Sequence, residues 1–290
     1  MNENPLIRQR MFSEGEVNAE TNFGLVRVSG EDRLSWLNSL FSQKLDDLSA
    51  GDSVETLSLD AQGRIQQIIR VIATDDSLLL ITNKDSIDEL HDYLLKMRFR
   101  KIVEITKGDE NIVASFNTPI SDVFWRDIWP EIRIGGYRYG TRNISHPLFL
   151  NVLDELPAEL IDFETIEPLR IYAGRPAETE IDEKTLPHEL DLLTSAVHLQ
   201  KGCYKGQEAV AKVHKLGHPP RRLTMLYLED GTDLPEVGDE LMFNERVVGK
   251  ITAVGNHFEA GPIALALIKP IVDPMAELKF ENGLGATQEI

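Results

Sequence analysis

The order of hydrophobic periodicities along the chain is what most limits its fold. Leu25–Val28 reads as a strand, and Glu31–Phe41 then places Leu34, Leu37 and Phe41 on one helical face. Two strand-like runs, Val54–Leu59 and Arg64–Ala73, flank an Asp60–Gly63 turn. A third strand, Ser77–Thr82, precedes an amphipathic helix from about Asp85 to Arg98 carrying Ile87, Leu90, Leu94 and Met97 on one side. Strands at Lys101–Ile105 and Asn111–Phe116 complete the series. Strand–helix–strands–helix–strand is the order of α+β modules and argues against a doubly wound parallel sheet. Further on, Asp162–Ala173 reads as a helix with Asp162 as N-cap and Gly174 as its stop. Pro168 is expected to delay the start of that helix or to kink it, since an interior proline loses a hydrogen bond and clashes with the preceding turn. From about Arg221 the texture changes to short strands separated by glycine turns, Leu223–Leu228, Glu240–Phe243, Val247–Val254 and Ile263–Ile268, which predict a small antiparallel barrel or sandwich.

The chain has 290 residues, 42% of them hydrophobic, enough for two or three packed units. It has one cysteine, Cys203, which excludes a disulfide framework and suits a reducing, cytoplasmic setting. The polar start, Met1–Phe12, has no apolar core of the kind that signal peptides carry, and no apolar run is long enough to span a bilayer. A formal net charge of −18 argues against general nucleic-acid binding, which needs a broad cationic surface.

Against that acidic background, Lys201–Arg222 holds six cations (Lys201, Lys205, Lys212, Lys215, Arg221 and Arg222) and one acid, Glu208, apart from its two histidines. Cys203 lies in this stretch within Lys201-Gly202-Cys203-Tyr204-Lys205-Gly206-Gln207-Glu208, just before a short helix predicted from Gln207 to Lys215 and capped by Gly206. Nearby cations and a helix N-terminus stabilise a thiolate, so the expectation is a thiol partly ionised at neutral pH. The alternative is a cysteine packed as a small apolar residue. Lys212 and Lys215 read as a solvated helix face. His198, His214 and His218 with Cys203 loosely resemble metal-ligand spacing, but there is no second thiol, and no metal is expected.

The string K-G-C-Y-x-G-Q-E resembles the signature of YgfZ-type folate-binding proteins, relatives of the glycine-cleavage T-protein (aminomethyltransferase). Three more segments are similar to that family: Phe23–Gly30 with Asp32-Arg33-Leu34, the turn Asp60-Ala61-Gln62-Gly63-Arg64, and Arg170-Ile171-Tyr172-Ala173-Gly174-Arg175-Pro176. The likeness runs from about Asn22 to about Pro270 and is weakest between Asn111 and Leu160. It implies a T-protein-like ring of α+β modules: a folate-binding region over 1–220, made of two interleaved modules, and a C-terminal β-barrel domain over 221–290.

Tetrahydrofolate, the non-covalent ligand this resemblance implies, joins a donor-rich pterin to an anionic glutamate tail. Its site calls for an acceptor at one end and cations at the other. Arg64, Arg170 and Lys201 lie in the matched segments and are candidates for the anionic end; a surface or structural ion pair is the alternative for each. Glu189, in Leu186-Pro187-His188-Glu189, is the candidate acceptor. Gln67 shares a predicted strand face with Ile65, Ile69 and Val71, where a lone amide wants a partner, either a folate nitrogen or a neighbouring backbone group. The aminomethyltransferases carry carboxylates where this chain has Gln67 and Tyr172. The resemblance therefore implies folate binding without ordinary aminomethyl transfer.

By the same resemblance the chain is expected to assist iron–sulfur cluster assembly or repair in client enzymes, and through them tRNA modification, with Cys203 as the reactive group. One cysteine cannot itself hold a cluster. The alternatives are a folate-dependent aminomethyl or one-carbon transferase, and a non-enzymatic thiol-bearing scaffold for client proteins.

Overall fold

The computed structural model describes residues 4–129, 146–217, 219–229 and 234–289. Two five-stranded sheets and a closed barrel organise them. The first sheet is formed by β1 (Asn18–Glu20), β7 (Asn111–Phe116), β8 (Phe124–Arg126), β9 (Leu148–Leu153) and β10 (Leu160–Ile161), in the order β10-β1-β7-β9-β8. The second contains β2 (Phe23–Ser29), β3 (Ser53–Leu59), β4 (Ile65–Ala73), β5 (Ser77–Asn83) and β6 (Glu104–Lys107), in the antiparallel order β3-β4-β5-β2-β6. One face of this second sheet is covered by α2 (Arg33–Leu40) and α3 (Ile87–Met97), whose Trp36, Leu37, Leu90 and Leu94 pack on Val26, Val28, Ile69 and Val71. Its other face meets the first sheet: Leu25, Ile72 and Ile81 share a core with Ile112, Trp125 and Leu150.

Two helices close that core from the side. α1 (Pro5–Glu14) contributes Phe12, and α4 (Phe163–Tyr172) contributes Ile166 and Leu169. Contrary to the expectation from Pro168, α4 runs unbroken from Phe163, with the proline buried in its interior. The ring packs on Gly255 of the barrel, where an added Cβ would lie 2.9 Å from Pro168 Cγ. Proline at this position thus joins helix to barrel. α5 (Gln207–Leu216) starts at Gly206 as its sequence requires, with Gly206 at φ +84°.

The barrel is the T-protein-like C-terminal unit. Its strands are β11 (Arg222–Leu228), β12 (Glu240–Phe243), β13 (Arg246–His257), β14 (Gly261–Ile268), β15 (Leu278–Lys279) and β16 (Gly285–Gln288). Its interior is aliphatic, with Leu226, Ile251, Ala264, Ile268 and Leu278 buried together.

One register detail corrects the sequence reading of β4. Ser58 pairs with Gln67, but Leu59 pairs with Ile65, so Gln66 is an extra residue and the strand bulges there. The bulge turns Ile65 to the side of Ile68, into a core with Leu190, Val197 and Tyr204, whereas Ile69 and Val71 face the helices. Ile65 therefore does not share a face with Ile69.

Candidate functional site

The signature loop is built by the turn that precedes β4. Gly206 is at φ +84°, and a Cβ there would stand 2.5 Å from the Asp60 carbonyl oxygen and 3.0 Å from Gly63 Cα. A Cβ at Gly63, which is at φ +76°, would stand 3.1 Å and 3.2 Å from the Ala209 and Val210 side chains of α5. Only glycine admits this backbone-to-backbone approach. The Asp60 carboxylate shapes the partner turn by accepting from the Gln62 and Arg64 backbone N–H groups, both at 2.8 Å. Two segments that are about 140 residues apart thus become one unit.

The other signature residues hold this unit in place. The Lys201 ammonium donates to the carbonyls of Asn38, Phe41 and Gln43, the last two at 2.7 and 2.6 Å, tying the loop to the end of α2. Burial lowers its pKa to about 8, and three carbonyl acceptors use its three donors. The Gln207 amide donates to the Lys201 carbonyl at 3.2 Å. The Tyr204 ring is buried beside Leu190, Val197 and Val210, which pushes its hydroxyl up to about 12. Cys203, by contrast, is exposed, as are Gly202, Lys205 and Glu208.

The remaining predicted folate contacts are placed differently from one another. Glu189 is buried and accepts from the Leu186 N–H and from Arg221 at 2.8 and 3.0 Å, so its oxygens serve an internal pair. Arg170 is buried between Glu167 and Glu180 and also donates to the Arg175 carbonyl. Gln67 is buried with its amide 3.4 Å from the Ser86 carbonyl, the backbone one of the two partners considered for it. Arg64 is half-buried beside the Gly63 turn. The local cationic excess also disperses: Arg221 pairs with Asp182 and Glu189, Arg222 is buried against Gln288 and the Val272 carbonyl, and Lys201 is spent on carbonyls. Lys205, Lys212 and Lys215 stay exposed. Among the described residues no group of three or more His, Cys, Asp and Glu side chains has the geometry of a metal site; His218 lies outside them.

A cavity of about 320 Å³ opens between the two sheets and α4. Phe23, Trp125, Phe163, Leu148 and Ile166 give it apolar walls, and Asp127, Glu167 and Glu178 bring carboxylates to its lining. Arg70 pairs with Glu178 at 3.1 Å and lies over the Phe23 ring, 4.5 Å from its centroid. Arg175 is buried, pairs with Glu55 at 2.5 Å and Asp127 at 3.2 Å, and stacks over Trp129. Its Nη1 finds no hydrogen-bond partner among the described residues, and neither does Nδ1 of His146. Burial, reinforced by Arg175 and Arg170, lowers His146 to about 3, so this imidazole is neutral. Of the residues singled out from the sequence as folate contacts, Arg170 alone lines this cavity, and none of 201–208 does. Phe23 and Arg175 sit inside matched segments and could have been chosen there. Trp125 and His146 lie where the resemblance is weakest, so their assembly depends on tertiary packing.

No protein-family model matches the chain. YgfZ of Vibrio vulnificus, named a tRNA-modifying protein, is 24% identical over 276 residues, covering 87% of this chain and 83% of that one. A chloroplastic protein of Arabidopsis thaliana, provisionally named a transferase, is 26% identical over 299 residues; the match covers 89% of this chain and 66% of the longer relative, just under two thirds of its length. In fold, the glycine cleavage system aminomethyltransferase T of Bartonella henselae superposes with a TM-score of 0.77 at 15% identity, covering 99% of this chain and 88% of that one. No helix among the described residues is long and apolar enough to cross a membrane. The chain is thus similar in sequence, over most of its length, to proteins named YgfZ, and it has the fold of the T-protein.

Proposed function

We propose that the chain binds tetrahydrofolate non-covalently through the cavity between its sheets. In this reading it supports iron–sulfur cluster assembly or repair in client enzymes of the cytoplasm, and through them tRNA modification. The cavity is the observation that carries the proposal. Aromatic walls suit a flat pterin, carboxylates suit its N–H donors, and the orphaned nitrogens of Arg175 and His146 are buried polar atoms that a ligand's polar edge would satisfy. The volume matches a bicyclic ring, leaving the tail to extend outward, where half-buried Arg64 is the candidate cation. When bound, the folate supplies a reduced pterin able to carry a one-carbon unit. The chain's own residues would orient it and exclude water. Gln67, Arg170, Glu189 and Lys201 act in this reading as braces, because their polar groups are engaged within the chain. The proposal takes residues 1–220 as the folate-binding region and 221–290 as the C-terminal β-barrel domain, which meet where Pro168 packs on Gly255.

Cys203 is the reactive group of the proposal. Lys201, Gly206 and Gln207 fix its loop, and the thiol is left exposed. The transferase reading is favoured by the names of two relatives and disfavoured by two side chains. Gln67 offers no charge and is bonded to Ser86, and Tyr172 stacks on His257 with ring centroids 4.2 Å apart. The deciding experiment is a thermal-shift titration with tetrahydrofolate, followed by an assay for methylene-tetrahydrofolate from an aminomethylated carrier. A ligand at a hundred times its Kd adds about 2.7 kcal/mol to apparent stability. Stabilisation that weakens in Glu167→Gln and comes without turnover is the expected result. No shift at saturating ligand refutes folate binding, and turnover above a heat-killed control selects the transferase.

A further inference from the structure

The connection from α3 to β6 is an exposed cationic stretch on an acidic chain. Between Tyr93 and Val103 the chain has four cations, Lys96, Arg98, Arg100 and Lys101, and no acid. Arg98 through Ile102 are all exposed, and Phe99 projects with 83% of its surface in solvent. Its backbone is held at φ +47°, a conformation that is strained for a non-glycine residue and persists only where its surroundings impose it.

Those surroundings are identifiable. The Asp32 carboxylate accepts from the Ile102 N–H at 2.8 Å and from the Lys101 ammonium at 3.4 Å, and the Asp32 N–H returns a bond to the Ile102 carbonyl. Gly30, at φ +105°, lets that carbonyl approach so closely that a Cβ would stand 2.4 Å from it. The loop is therefore fixed in advance with its aromatic ring outward. Lys101 is partly neutralised by Asp32, whereas Lys96, Arg98 and Arg100 are exposed within four residues of Phe99 in sequence.

We propose that this loop is a contact site for single-stranded RNA, with Phe99 stacking on an unpaired base and Lys96, Arg98 and Arg100 meeting the flanking phosphates. The choice of RNA rests on the tRNA-modification reading; the stacking and charge chemistry rest on the loop. A net charge of −18 argues against a broad phosphate-binding face, whereas a contact confined to a small cationic patch is compatible with it. A pre-ordered aromatic flanked by guanidinium groups supplies the two things a flexible polyanion with flat bases can use, and pre-ordering removes the entropy cost of arranging them.

The test is fluorescence anisotropy of a fluorescein-labelled RNA hairpin with an unpaired loop, titrated with the full chain at low ionic strength. Phe99→Ala should weaken binding roughly 5- to 150-fold, the range for loss of one base stack. Phe99→Trp should keep or strengthen it, and Phe99→Leu should behave like alanine, because leucine is apolar but cannot stack. Arg98→Glu with Arg100→Glu should abolish binding, and the logarithmic salt slope of the wild type should be about −2, three phosphates on a single strand. The side chains are exposed, so each variant should keep its folate thermal shift; loss of that shift would mark a folding defect and not a lost contact. Absence of RNA binding at low salt, full binding by Phe99→Leu, or preference for anionic phosphatidylserine vesicles over RNA overturns the proposal. Any of these leaves the folate reading intact, and failure of the folate titration leaves the anisotropy result standing.

Discussion

Burying His146, which has no acid partner among the described residues, should make the protein lose stability in mild acid, by an amount that can be worked out. The imidazole packs edge-on against Phe116, and burial holds its pKa at about 3. In the unfolded chain it titrates near 6.5. Between those values the unfolded state binds one more proton than the folded state, so stability falls as pH falls, by about 1.4 kcal/mol per pH unit. The contribution is intact above about pH 6.5, is reduced by about 2 kcal/mol at pH 5, and is fully lost only below about pH 3. Because the side chain is only 4% exposed, solvent screening reduces this figure little. The assay is urea unfolding of wild type and His146→Gln at neutral pH and at pH 5. Carboxylates elsewhere titrate alike in both proteins and cancel in the difference. The wild type should lose about 2 kcal/mol more than the variant over this interval. Equal losses would mean that the imidazole reaches water or a carboxylate, and the description of the cavity wall would then be wrong.

Two further outcomes follow from the signature loop. Gly206→Ala should destabilise the chain by about 2 kcal/mol or more, since positive φ and a 2.5 Å approach to the Asp60 carbonyl act together, whereas Gly174→Ala, at φ +65° with open space around it, should cost only about 1 kcal/mol; equal losses in urea melts would contradict the turn-on-turn packing. Cys203 should be alkylated stoichiometrically by iodoacetamide in the native protein at neutral pH, read by intact mass, and a requirement for denaturant would show the thiol to be covered.

Much of this architecture was legible in the sequence because it is local. Gly206 before an amphipathic run announces α5, and the Asp60–Gly63 turn with its flanking aliphatics announces the β3–β4 hairpin. The bulge at Gln66 was not legible, since an extra residue changes no composition and shows only in the pairing register. The site was harder still. Arg170, Glu189 and Lys201 were singled out as folate contacts, but a sequence does not reveal whether a buried charge serves a ligand or a neighbour. Arg221 takes Glu189 from 32 residues away, and Lys201 reaches carbonyls more than 150 residues upstream. The cavity draws its walls from Phe23, Trp125 and Phe163, which only the stacking of two sheets brings together.

The cage around Lys201 also sets a rule about which residues can begin this loop. Three carbonyl oxygens converge on a single nitrogen, as they would on a small spherical ion. A tetrahedral ammonium on a long stem answers that arrangement, one N–H to each oxygen. A guanidinium carries the same charge spread over a flat fork and cannot aim three donors at one point. Arginine at 201 would keep the charge and lose the knot, and the end of α2 would then be free to move independently of the segment bearing the thiol. What this position selects is the shape of the cation, and through it the shared motion of two parts of the chain.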